Sequence, residues 1–212
     1  MRRNIGACAI LIGGLAVLQG CSWHGYQLAA ESTAELEILQ DELREGKTQI
    51  IVALDAAAKL VGQRSGDLTP AFEEFLYQLG ELEGRIELVH GRQEEIQELS
   101  DRYLENWDAQ LSDSSPAIRQ RGQERRRDVE RNFESLGQEY DRTRETFAPF
   151  LKGLAEIAKF LSHDLTPAGT KAVADLVDER SRESDGVMAQ IDDLIAELDR
   201  VAQTLSPKIP GA

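Results

Sequence analysis

The chain predicts an all-α fold: an elongated antiparallel bundle of about four long, coiled-coil-like helices. Three observations predict it. Apolar residues recur at alternating three- and four-residue spacing through four long segments, and no useful stretch alternates with the period of two that a strand needs. Leu, Ala, Glu, Gln, Asp and Arg dominate while aromatics make up only 6%, a helical composition. Short turns part the segments, so neighbouring helices are expected to fold back on one another.

The first segment runs from about Tyr26 to Val61, on a seam of Leu36, Leu39, Leu43, Gly46, Ile50, Ala53, Ala57 and Leu60. Gly62, Ser65, Gly66 and Asp67 break it. Thr69 then reads as a cap, with Pro70 at the first helical position, where a missing N–H does no harm. The second segment, Pro70 to Leu111, carries Leu79, Leu82, Ile86, Val89, Gln93, Ile96, Ser100, Tyr103 and Trp107. Ser112 to Pro116 form the next turn and cap. The third, Pro116 to about His163, carries Ile118, Val129, Phe133, Leu136, Tyr140, Phe147, Leu151, Leu154, Ile157 and Leu161. Pro149 lies inside it and is expected to kink or split it. The fourth opens at Thr166 and Pro167. Its seam is Val173, Val177, Arg180, Ser184, Val187, Ile191, Leu194, Leu198, Val201 and Leu205. The polar seam positions Gln93, Ser100, Arg180 and Ser184 predict a wet or frayed middle, or a face turned to another protein.

Ahead of the helices, Arg2 and Arg3 precede an uncharged apolar stretch from Ile5 to Leu18, too short for a good spanning helix. Leu18, Gln19, Gly20 and Cys21 close it. This resembles a bacterial lipobox, although Gln19 is less usual at its place. The resemblance implies cleavage before Cys21 and lipid on its sulfur. Several acyl chains, at about 0.8 kcal/mol per buried CH₂, hold a protein firmly to a membrane. Ser22, where retained lipoproteins have Asp, implies the periplasmic face of the outer membrane. The expected organisation is a signal peptide at 1–20, a lipidated tether at 21–34, one bundle domain at 35–206 and a short tail at 207–212. Trp23 beside the lipid site suits a membrane interface.

Loss of Arg2 and Arg3, from 24 basic against 38 acidic residues, takes the net charge from −14 to −16. A uniformly negative field disfavours nucleic acid and anionic phospholipid as partners. Cys8 leaves with the leader and Cys21 is taken by lipid. Packing rather than a disulfide then has to stabilise the body.

Few residues carry a chemical signal. Glu87 and His90 form one Glu-x-x-His pair. Di-iron bundles use two such pairs and two further glutamates, and Phe160 stands three residues before His163 where a second pair needs Glu. A surface histidine is therefore the expected reading of His90, and no metal or other cofactor is expected. His163 and Asp164 read as a helix end, where a histidine suits the terminal carbonyls. No nucleophile elbow, phosphate loop or Cys-x-x-Cys is present, and no enzymatic activity is expected. The one charge anomaly is Arg119, Arg121, Arg125, Arg126, Arg127 and Arg131. It reads either as a patch for anions or an acidic partner, or as internal pairing with Glu94, Glu95, Glu98, Asp101 and Glu105 across an antiparallel helix pair. Internal pairing is the preferred expectation.

Taken with the lipobox, three stretches are similar to a family of uncharacterised proteobacterial lipoproteins, a domain of unknown function. They are Glu105 to Leu111, the arginine-rich start of the third helix, and the run from Phe147 through Pro149 to His163, Asp164 and Leu165. The resemblance implies a helical fold and an envelope location, and it brings no activity and no functional residue beyond Cys21. The functional expectation is an outer-membrane-anchored helical rod, attached to the membrane by its lipid, that docks a protein partner or itself. The alternative is a ligand- or metal-binding bundle centred on Glu87 and His90.

Overall fold

The computed structural model of the protein describes residues 23–112 and 114–206. Four α-helices follow one another: α1 (Trp23–Gly62), α2 (Thr69–Ser112), α3 (Pro116–His163) and α4 (Pro167–Leu205). At 1.5 Å per residue they span about 58 to 72 Å. Successive helices run antiparallel. α1 packs on α2 and α4, and α3 packs on α4 and α2, so the four close into a bundle. The α2–α3 contact is the least extensive of the four.

The seams meet in one continuous apolar cluster. Leu36, Leu39, Ile50 and Leu60 of α1, Leu82 of α2, Leu136, Leu154 and Leu161 of α3, and Leu194 and Leu198 of α4 are fully buried. Two aromatic side chains join them, Phe75 and Phe150. Phe147, which the spacing places on the seam, is only half-buried and leans on Phe150, with ring centroids 5.7 Å apart.

The turns differ from expectation in detail. Thr69 does not cap α2; its own N–H donates to Asp67 Oδ1 at 2.9 Å, and Phe72 N–H closes on Leu68 O. The Thr69 N–H holds the Asp67 carboxyl below the ordinary aspartate range. Gly66 turns the chain with φ +93°, a conformation that favours glycine. Ser115 stands at the α3 N-cap without a side-chain bond, ahead of Pro116. Thr166 does cap α4, its Oγ1 accepting from Gly169 N–H at 3.0 Å.

Four sequence expectations are corrected. Pro149 does not split α3, which is a single helix of 48 residues. Ile118 is exposed, not seam: Leu111, next to the last residue of α2, packs against Gly122, which leaves the first turn of α3 past the end of α2. The helical body starts before residue 35. Residues 23–34, expected as tether, belong to α1, and Leu28, Ala29 and Ser32 are buried. The helix itself is expected from about Tyr26; only the packed body is expected to start later, and the residues buried here lie outside the main apolar cluster. Arg180 does not leave the seam wet: it lies across Gly153, which has no side chain to oppose it, and pairs with Glu179 and Glu183. Ser100 and Ser184 are buried; Ser184 satisfies its hydroxyl on Ser181 O at 2.7 Å. Gln93 is half-buried.

Leu154, Leu194 and Leu198 are 0% exposed and Leu136 is 1%. Truncation of any one removes its contacts and leaves a cavity that rigid helices cannot close. Each Leu→Ala variant should lose about 2–5 kcal/mol of unfolding free energy in urea titration. A loss under 1 kcal/mol at all four would contradict the packed bundle.

Candidate functional site

Two regions gather side chains that the bundle's packing does not require, one at mid-height and one at the end where α1 begins. The mid-height region is a cavity of about 80 Å³ between all four helices, open to one side. Its wall is aliphatic and aromatic: Leu43 and Ile50, Leu82 and Val89, Phe147, and Leu194. Gly46 in α1 faces it, and a Cβ built there meets nothing within 4 Å. Of the packed helix pairs α2 and α3 touch least, and Ile86, Val89 and Tyr140, which line the cavity from these two helices, are half-buried. Sequence spacing could not show the cavity, because it is a difference between the volumes of four facing seams.

Arg85, Tyr140 and Arg144 stand at its edge. Arg85 is held by Glu42 at 3.0 Å and by Glu45. Arg144 makes only a loose pair with Asp141, at 3.7 Å. Burial holds the Tyr140 phenol above its ordinary range, with Arg144 opposing the shift. The phenol therefore stays protonated at neutral pH. Its Oη lies 3.1 Å from His90 Nδ1.

His90 thus sits on the surface beside this region, not on the bundle axis. Its Nε2 is 3.5 Å from Glu94, and Glu87 is exposed. Among the described residues no three of His, Cys, Asp and Glu converge as a metal would need. The chemistry available here is apolar: the cavity suits a hydrocarbon group and offers no ligand set.

The second region is the arginine run. The structure pairs Arg126 with Asp108 of α2, Nε to Oδ1 at 2.7 Å, and with Glu130 on its own helix at 2.9 Å. The cross-helix ion pair of this run falls on Asp108, nearer the turn than any of the five carboxylates expected from the sequence. Glu94 and Glu95 are engaged by His90 and Arg92 instead. The reason is register: Leu111 packs against Gly122, which sets α2 and α3 so that Asp108 meets Arg126. Arg131 pairs with Asp128 at 2.5 Å. Arg119 donates to the carbonyls of Ser112 and Ser114 at 3.0 Å, closing the end of α2. Arg125 donates to Thr204 O of α4, and Arg127 to Gln123 O. Arg121 holds none of the ion pairs or hydrogen bonds among the described residues. The run is therefore divided, with Arg126 and Arg131 neutralised and the other four holding no carboxylate among the described residues.

Cys21 lies outside the described residues, two positions before α1. Among the described residues no helix is long and apolar enough to cross a membrane.

The family model described as "Protein of unknown function (DUF2959)" matches residues 32–206, which is nearly the whole bundle. Nothing among curated proteins or solved structures matches the chain.

Two stability measurements test these sites. Gly46→Ala adds a methyl group that meets nothing and removes the backbone freedom of a glycine inside a helix. It should raise the unfolding free energy by about 0.5–1 kcal/mol. A destabilised Gly46→Ala would mean that the cavity is already filled. Arg126→Ala should cost about 1 kcal/mol, because it breaks a pair on two helices, whereas Arg127→Ala should stay within about 0.5 kcal/mol. Equal losses would contradict the division of the run.

Proposed function

The chain belongs to this family of unknown function, and from that premise we propose that it acts as a lipid-anchored helical rod of the bacterial envelope. The rod stands off the membrane and presents its surface to a protein partner. The observation that carries the reading is the continuous core. One apolar cluster joins all four helices, from Leu205 at one end of the bundle to Leu60 and Leu161 at the other. A rod of about 60–70 Å built this way bends little. Its first helix starts two residues from Cys21, so a lipid there would hold the bundle close to the bilayer rather than on a long leash.

Several features support this reading. The leader has the three-part pattern of a lipoprotein signal. The surface is acidic, and its ion pairs mostly join residues three or four apart on one helix, which leaves much of the outer face polar and accessible. A second reading, a ligand-binding bundle, has the mid-height cavity in its favour, and its ligand would be apolar rather than a metal ion.

Metabolic labelling with a fatty-acid analogue tests the anchor. The native chain should take label and sediment with membranes; Cys21→Ala should take none and leave the membrane fraction. Label persisting in Cys21→Ala would overturn the lipidation reading. Crosslinking in intact envelopes tests the partner, and the expected result is one discrete adduct rather than a smear.

A further inference from the structure

We infer that the end of the bundle from which α1 starts is a contact surface for anionic phospholipid headgroups, with Arg119, Arg121, Arg125 and Arg127 as its positive groups. The inference deepens the lipid-anchor reading and rests on it for the orientation of the rod.

The first support is where the chain places these residues. A side chain added at Gly25, in the first turn of α1, would touch Gln110 of α2 at 3.6 Å. The next residue of α2, Leu111, packs against Gly122 of α3. Arg125 reaches Thr204 in the last turn of α4. The start of α1, the end of α2, the arginine stretch and the end of α4 therefore share one level. Cys21 is two residues from Trp23, at most about 7 Å of extended chain. A lipid on Cys21 brings this end, and not the opposite one, against the headgroups.

The second support is charge. Over the body as a whole acid exceeds base, and most arginines are held by carboxylates: Arg44, Arg85, Arg92, Arg126, Arg131, Arg142, Arg144, Arg180 and Arg200. Seven described arginines hold no carboxylate among the described residues, Arg64, Arg102 and Arg182 among them, and the four named above are the ones gathered on the early turns of α3. Three donate only to backbone carbonyls, which direct the guanidinium without cancelling its charge. The carboxylates nearest them are engaged elsewhere, Asp108 and Glu130 by Arg126 and Asp128 by Arg131. Among the described residues Glu105 and Glu124 remain as opposing charges, both exposed, and the sequence adds Asp113 between α2 and α3. The expectation that a uniformly negative field repels anionic lipid thus fails locally, because the field is not uniform. The Debye length is about 8 Å at physiological ionic strength. A surface touching this end feels the charges of its last turns far more than those of the acidic shaft.

The partner chemistry follows. A guanidinium presented at a surface suits phosphate oxygens. A basic patch beside an acyl anchor is the two-signal arrangement that makes membrane attachment stable. Phosphatidylglycerol is the simplest bilayer lipid of that chemistry.

The test uses the chain from Ser22 onward, which holds all four helices and carries no lipid. It is sedimented with vesicles of phosphatidylglycerol mixed with phosphatidylcholine, and with phosphatidylcholine alone. Binding should need phosphatidylglycerol and fade between about 0.05 and 0.5 M salt. Each arginine near an anionic surface is worth about fivefold. Arg121→Gln with Arg127→Gln, both exposed and far from the core, should lower binding about 25-fold. Reversal of all four to Glu should abolish it. Reversal of Arg142, at mid-height, should not change it. Equal binding to phosphatidylcholine, or wild-type binding by the Arg121→Gln/Arg127→Gln variant with unchanged melting, would overturn the inference. So would an arginine-dependent complex with a protein in place of vesicles. The two readings fail separately. Label on Cys21 with no preference for phosphatidylglycerol sinks only the headgroup surface. Absent label with arginine-dependent vesicle binding sinks only the anchor.

Discussion

Every feature of this bundle depends on aliphatic side chains meeting along four facing seams. Leucines supply most of that contact, and the largest fully buried groups are two phenylalanines and a run of leucines and isoleucine. At about 25 cal/mol per Å² the burial is large in sum, yet it has no direction of its own. Direction comes from the spacing, which returns an apolar group to the same face every three or four residues. Length follows from the same rule. A seam maintained over 39 to 48 residues makes a rod, because each turn adds contact along the axis and none across it.

Charge acts on this frame in two ways. Most ion pairs join residues three or four apart on one exposed helix face, and such pairs contribute a few tenths of a kcal/mol each. They keep a strongly acidic chain compact without determining its topology. A smaller set crosses between helices: Lys47 with Asp192, Arg85 with Glu42, Arg92 with Glu35, Arg126 with Asp108. These report register. They hold where seam packing has already brought the partners together, as Leu111 against Gly122 does for Asp108 and Arg126.

The cavity and the arginine end show what a seam leaves over. At mid-height the facing positions Gly46, Ile86 and Val89 do not fill the space between the helices, and a cavity remains there. At the α1 end, Ile118 is bare, and Arg126 takes Asp108 and Glu130 while the arginines beside it donate to backbone carbonyls. Both features arise from mismatches between helices rather than from any motif within one.

The sequence by itself determined the four helices, their turns and most of their buried residues, because spacing and proline placement are local and each helix obeys them alone. It determined the candidate lipid site in the same way, as a short linear pattern ending at Cys21. It read the first helix from Tyr26 but set the start of the packed body at 35, since Leu28, Ala29 and Ser32 are buried apart from the main apolar cluster. It also put the ion pairs of the arginine run on the wrong carboxylates, since counting back from a turn does not yield the register of two packed helices. Only the tertiary structure decided which arginines are neutralised, where the cavity lies and which residues stand level with the start of α1. The physical reason is that each of these is a distance between helices. Such a distance is set by how side chains of unequal size interlock, and no single helix contains that information.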